Sequence, residues 1–256
     1  MILFKEDWAK PENFSAIVDI KTKNISFLRF AGLLRKMSIE NNTFHLALHN
    51  PDLQGVDPYD ENLTVNQKVA IAVECKVNPW YFFREVLRVP PPAGNTPLPL
   101  TANRANISTL WLAFNHITTY LIQIRQTGKS LIGNALDAYT LNIGAANSDL
   151  FLLTKDDKLR ARTANAIRDL VELLPLYLQV VGKKDIKNTE KLTNRAFGNI
   201  LNIYVGQKDK KAADNMGRGQ TIPTARVDEF GYIYNIETSL PVLLSATVKR
   251  YTKKFV

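Results

Sequence analysis

Arg125-Gln126-Thr127-Gly128-Lys129-Ser130 sets a glycine, a lysine and a hydroxyl in succession between an apolar run and an amphipathic one. Those residue types are what a triphosphate-binding loop needs. Where a strand turns into a helix, successive backbone N–H groups point into one concavity and the helix N-terminus adds its positive dipole end, so phosphate is bound there. Gly128 lets the backbone approach closely, Lys129 carries positive charge to the β- and γ-phosphates, and the Ser130 hydroxyl takes one position on Mg²⁺. Far downstream, Asp228-Glu229 follows Thr224-Ala225-Arg226-Val227. An acidic pair at a strand end supplies one carboxylate to hold Mg²⁺, directly or through water, and a second to orient and deprotonate an attacking water. Loop and pair together point to Mg²⁺-dependent ATP hydrolysis.

The flanking patterns supply elements to position these groups. Tyr120-Leu121-Ile122-Gln123-Ile124 reads as a buried strand entering the loop, although Gln123 stands where the general G-x-x-x-x-G-K-[ST] pattern has its first glycine. From Ser130 a helix opens and runs on toward Ile143. Residues 149–153 read as a second buried strand, after which Thr154-Lys155-Asp156-Asp157 caps a helix with an apolar face of Leu159, Ala166, Leu170 and Leu173, ended by Pro175. Residues 199–206 form another strand, followed by a polar loop through Gly219, the strand leading to Asp228, and a last helix over 236–249. Strands separated by helices imply an α/β fold with a mainly parallel sheet flanked by helices and its ligand at the strand C-termini. Residues 1–78 read as a helical N-terminal appendage or lid, with a turn-rich break at 50–58 and a capping box at Thr64-Val65-Asn66-Gln67. The proline-rich stretch 90–99 is an extended connector, so the nucleotide-binding core spans 79–256.

Composition narrows the partners. With 256 residues the chain holds one α/β domain and an appendage. A net charge of +9 favours polyanions such as nucleic acid. The single cysteine, Cys75, lies in an apolar run and excludes an internal disulfide framework and a cysteine-based zinc site. No apolar stretch approaches a membrane span, and Lys5, Glu6 and Asp7 do not fit a secretory signal, so a cytosolic protein is expected. His45 and His49 share one helix face at i, i+4 but lack a third ligand, so no metal site is expected there. His116 reads as a core residue of an apolar helix, and Arg160, Arg162 and Arg168 as solvent-facing.

Arg-Gln-Thr-Gly-Lys-Ser at 125–130 resembles the phosphate-binding loop of the large terminase subunit of tailed bacteriophages, which reads Arg-Gln-x-Gly-Lys-Ser/Thr and tolerates loss of the first glycine. Arg218-Gly219 is similar to an Arg-Gly pair of that family, and Asn78-Pro79-Trp80-Tyr81-Phe82-Phe83-Arg84-Glu85 to the segment leading into its adenine-binding region. The likeness spans residues 75–250. It implies an ASCE-type P-loop NTPase that binds ATP and Mg²⁺. Gln126, Thr127, Gly128, Lys129 and Ser130 then hold phosphate, Ser130 and Asp228 the metal, and Glu229 the water. Arg125 acts near the γ-phosphate in cis, and Arg218 as a finger across a subunit boundary. No adenine-contacting glutamine is evident upstream of the loop, where Asn103, Arg104 and Asn106 stand as candidates.

The partners implied are double-stranded DNA, the portal protein and the small terminase subunit, with the chain in a homo-oligomeric ring docked on the procapsid in the host cytoplasm. Family members continue into a Thr-rich coupling motif and a nuclease domain folded like RNase H. Neither is recognisable here, so no nuclease activity is expected of this chain. Two other readings stay open. One is another P-loop DNA translocase or helicase, which would share Lys129 and Asp228-Glu229. The other is a nucleotide- or DNA-binding fragment without turnover, because Thr224 and Arg226 interrupt the strand before Asp228.

Overall fold

The computed structural model describes residues 16–91, 93–124, 128–180, 182–216, 218, 222 and 224–247. Backbone contacts divide the chain into two units, Met1–Ile132 with Glu172–Gln179, and Gly133–Val171 with Val180–Val256. Residues 79–132 therefore share a unit with the expected appendage.

In the first unit, β1 (Ile17–Val18) precedes α1 (Ile25–Lys36), and β2 (Ala47–Leu48) pairs antiparallel with β1. Next comes α2 (Val65–Val77), started by the expected capping box: Thr64 Oγ1 accepts the Gln67 N–H at 3.2 Å and Gln67 Oε1 accepts the Thr64 N–H at 2.9 Å. β3 (Arg88–Val89) and β4 (Leu98–Pro99) form a small antiparallel pair across the proline-rich connector, followed by α3 (Arg104–Phe114). The core is aromatic, with Trp80 edge-on to both Phe44 and Phe114. Arg84 is fully buried within it. A charge survives there only if paired and hydrogen-bonded, and Arg84 is both: it donates to Glu85 Oε1 at 2.7 Å, to the His45 carbonyl at 2.7 Å and to Asp19 Oδ2 at 3.3 Å.

Three expectations in this unit are corrected. His45 and His49 share no helix face. His45 lies in a 3₁₀ turn (Phe44–Leu46) and the chain then extends as β2, because pairing with β1 claims its backbone. His116 is not a core residue of the helix: it is exposed with φ +56°, the left-handed residue that ends α3. Its N–H bonds to Ala113 O at 3.1 Å and the Ile117 N–H to Leu112 O at 3.0 Å, the two bonds that close a left-handed helix cap. Residues 120–124 belong to no strand, and Ile122 and Ile124 are 94% and 80% exposed. An apolar run becomes a strand only when a neighbour pairs with its backbone, and the sheet below does not include it.

From the loop, α4 (Lys129–Tyr139) continues into a π-helical turn (Thr140–Gly144), as far as expected. The second unit then contains β5 (Asp149–Thr154), α5 (Asp157–Glu172) except its last residue, β6 (Lys191–Asn194), β7 (Asn199–Val205), α6 (Lys210–Asn215), β8 (Thr224–Val227) and α7 (Ile236–Thr247). The strands form one sheet in the order β6-β7-β5-β8. β5 is parallel to both β7 and β8, while β6 folds back antiparallel on β7. The fold is thus α/β with a mixed, mostly parallel sheet flanked by helices. β6 was not expected from its polar sequence. β5 is buried from Leu150 to Thr154, as an uninterrupted apolar strand between two neighbours requires. Phe151, Leu153, Met216, Ile222, Ile233 and Leu243 form a core cluster, with Tyr204, Val227 and Ile236 packed against it. Among the described residues, no helix is long and apolar enough to cross a membrane.

Candidate active site

Arg125, Gln126 and Thr127 lie outside the described residues; the helix that follows them does not. Gly128 has φ +83°, where a side chain is strained, and its carbonyl accepts the Ile132 N–H at 3.0 Å to close the first turn of α4. Lys129 and Ser130 therefore open a helix, whose first N–H groups have no intrahelical acceptor. One turn on, Gly133, Asn134 and Asp137 fall at i, i+1 and i+4, a spacing that sets Gly133 and Asp137 above one another with Asn134 alongside.

The acidic pair ends β8. Leu153 is in register with Val227, and the Asp228 N–H donates to Leu153 O at 2.9 Å, so the parallel ladder extends to Asp228. Asp228 thereby stands at the carboxyl end of two adjacent parallel strands, where α/β sheets bind ligands. It is buried, and its Oδ1 accepts the Glu229 N–H at 3.0 Å. Glu229 has φ +55°, uncommon for a residue other than glycine. Its Oε2 lies 2.5 Å from Lys155 Nζ. Lys155 is the first residue after β5, so this ion pair bridges the ends of neighbouring strands. Hydrogen bonding to Glu229 raises the Lys155 ammonium above its usual pKa, and the Tyr232 ring lies 5.5 Å from the same Nζ. Asp156 Oδ1 accepts the Leu159 N–H at 2.7 Å and caps α5, as the Thr154-Lys155-Asp156-Asp157 run predicts.

Arg226, the residue that breaks the apolar pattern of β8, reaches α4. Its Nε donates to Asp137 Oδ2 at 2.8 Å and its Nη2 to Asn134 Oδ1 at 2.7 Å, while Nη1 lies 3.6 Å from Asp228 Oδ2. Gly133 leaves the room: a Cβ there would stand 2.7 Å from Nη1. Burial raises the pKa of Asp137, and the Arg226 guanidinium opposes that rise. Mg²⁺ bound to a nucleotide takes most ligands from phosphate and water and needs one or two protein oxygens. Asp228, a buried carboxylate at the strand end, offers an oxygen of that kind.

Five of these groups converge: Asp228, Glu229, Arg226, Lys155 and the Asn134/Asp137 face of α4. Arg218 is paired with Asp214, its Nε on Asp214 O at 2.7 Å and its Nη2 on the Asp214 carboxylate. In the other unit, Asn103 Oδ1 caps α3 by accepting the Asn106 N–H at 2.9 Å, and Asn106 Nδ2 bonds Thr101 O at 2.9 Å. Arg104 is the exposed first residue of α3. In the sequence, Lys155 reads as part of a cap and Arg226 as an interruption, whose signal is a charge inside a strand. No protein-family model matches the chain, and comparison with the curated proteins finds no match.

Proposed function

We propose that the chain is the ATP-hydrolysing motor domain of a phage-type large terminase, a P-loop NTPase that binds ATP and Mg²⁺ and drives double-stranded DNA into a procapsid. One observation carries the reading: Asp228-Glu229 ends a strand parallel to β5, and the preceding Arg226 bonds Asn134 and Asp137 of α4. Lys129 and the first-turn N–H groups hold the phosphates, and Ser130 and Asp228 supply oxygens to the metal. The metal, when bound, neutralises charge that develops on the transferred phosphoryl group. Glu229 accepts the proton of the attacking water, for which its carboxylate must exchange Lys155 for water. Arg125 adds positive charge in cis and Arg218 across a subunit boundary, after releasing Asp214. The motif resemblance at 125–130 and the net charge of +9 support DNA as the cargo.

Lys129→Ala should abolish tight ATP binding, read by isothermal titration. Glu229→Gln should keep that binding and lower phosphate release by about 10²- to 10⁴-fold, the range for a general base. Turnover at the wild-type rate in Glu229→Gln would remove the catalytic assignment.

A further inference from the structure

We infer that Arg226 is the positioning residue for the metal-binding carboxylate: it clamps Asp228 to Asn134 and Asp137 of α4. The inference rests on the hydrolysis reading above. An arginine in a four-residue strand ordinarily runs out to solvent, yet the Arg226 side chain is only 18% exposed. Its nitrogens engage three partners: Nε and Nη2 both meet Asp137 Oδ2 at 2.8 Å, Nη2 also donates to Asn134 Oδ1 at 2.7 Å, and Nη1 lies 3.6 Å from Asp228 Oδ2. A planar guanidinium with fixed donors meets that geometry, and a lysine ammonium does not.

Charge explains why a cation is tolerated beside a metal ligand. Asp137 neutralises Arg226, so the pair orients Asp228 without adding net positive charge against an incoming Mg²⁺. The helix is shaped to admit the side chain. Besides the 2.7 Å to Nη1, a Cβ on Gly133 would lie 3.1 Å from Arg226 Cδ and 3.2 Å from Cζ. Partners that hold a metal ligand in place act on metal affinity without touching the metal.

Gly133→Ala separates this role from a purely structural one. Alanine favours the helix, and its methyl group meets the end of a flexible side chain, so the fold should persist while the guanidinium is displaced. Arg226→Lys keeps the charge and loses the fork. Bound Mn²⁺ should be measured by electron paramagnetic resonance with a non-hydrolysable ATP analogue, next to thermal unfolding of each protein. Both variants should stay folded and need about tenfold more Mn²⁺ for half-saturation. Wild-type Mn²⁺ binding in either folded variant overturns the inference, and unfolding of both reduces Arg226 to a structural staple and overturns it too. If only Arg226→Lys unfolds, Gly133→Ala decides. Should the wild type take up no Mn²⁺ with the analogue, or should Lys129→Ala take up as much, the hydrolysis reading itself fails. Uptake that Lys129→Ala abolishes and Gly133→Ala leaves intact removes only the role of Arg226.

Discussion

Acid should weaken the N-terminal unit earlier than its carboxylates alone require, because His45 has no place for a second proton. The side chain is fully buried, with the rings of Phe27, Phe30 and Phe44 at 5.9, 5.4 and 5.0 Å. Nε2 is 3.0 Å from the Phe27 carbonyl and so carries the proton of the neutral ring, while Nδ1 is buried without a hydrogen-bond partner. Protonating Nδ1 would bury a charge and an unsatisfied donor beside Arg84, which already donates to the His45 carbonyl at 2.7 Å. Burial first, and the Arg84 charge after it, lower the His45 pKa to about 4, against the opposing effect of the Phe27 bond. The unfolded chain takes up this proton near pH 6.5 and the folded one only near 4. Stability is therefore intact above pH 6.5, falls between 6.5 and 4, and levels off below. The full displacement corresponds to about 3 kcal/mol. Urea unfolding at pH 7.5 and 4.5 should be compared for wild type and His45→Phe. The variant loses the Phe27 bond and should be weaker at pH 7.5, but its further loss on acidification should be smaller than the wild type's by about 2–3 kcal/mol. Equal losses, or an NMR titration of folded His45 with a midpoint near 6.5, would refute the reasoning.

Two further outcomes concern the proposed site. Lys155→Met removes the ammonium from Glu229 and should raise ATP turnover of the isolated domain with ATP affinity unchanged, measured by phosphate release and titration. A fall in turnover would instead count Lys155 among the groups that stabilise the transition state. Arg218→Ala should leave ATP affinity unaltered and lower turnover only where subunits meet, by up to ~10³-fold. Specific activity against protein concentration checks this, and a variant as active as wild type under assembly conditions would leave Arg218 a loop residue paired with Asp214.

The fold was legible where hydrophobicity and local chemistry agree. β5 and β7 show as apolar runs, and the capping box at Thr64 and the Asp156 cap follow from neighbours within one turn. It was illegible where a partner decides. Lys191-Leu192-Thr193-Asn194 is too polar to read as a strand, yet it pairs because β7 offers an edge. Residues 120–124 have the pattern of a strand yet belong to none of the described strands. His116 shows the same limit at a helix end: the left-handed position that glycine usually takes is filled by a histidine, held by two backbone bonds that composition does not announce.

The site divides along the same line. Asp228 and Glu229 are adjacent in sequence, so a single strand end explains both. Lys155 comes from the end of a different strand, and Asn134 and Asp137 lie 92 and 89 positions from Arg226. No spacing rule connects these. Yet Arg226 was visible as a violation, since a guanidinium inside a strand between helices cannot be buried without acceptors. Being two residues before Asp228 puts both side chains on one face of the extended chain. The covering helix must then present acceptors at i, i+3 spacing and a small residue beside them. Asn134, Asp137 and Gly133 meet that requirement on the helix that Lys129 begins. The irregular residue that argues against a regular strand is, in the folded chain, what joins that strand to Asn134 and Asp137 of α4.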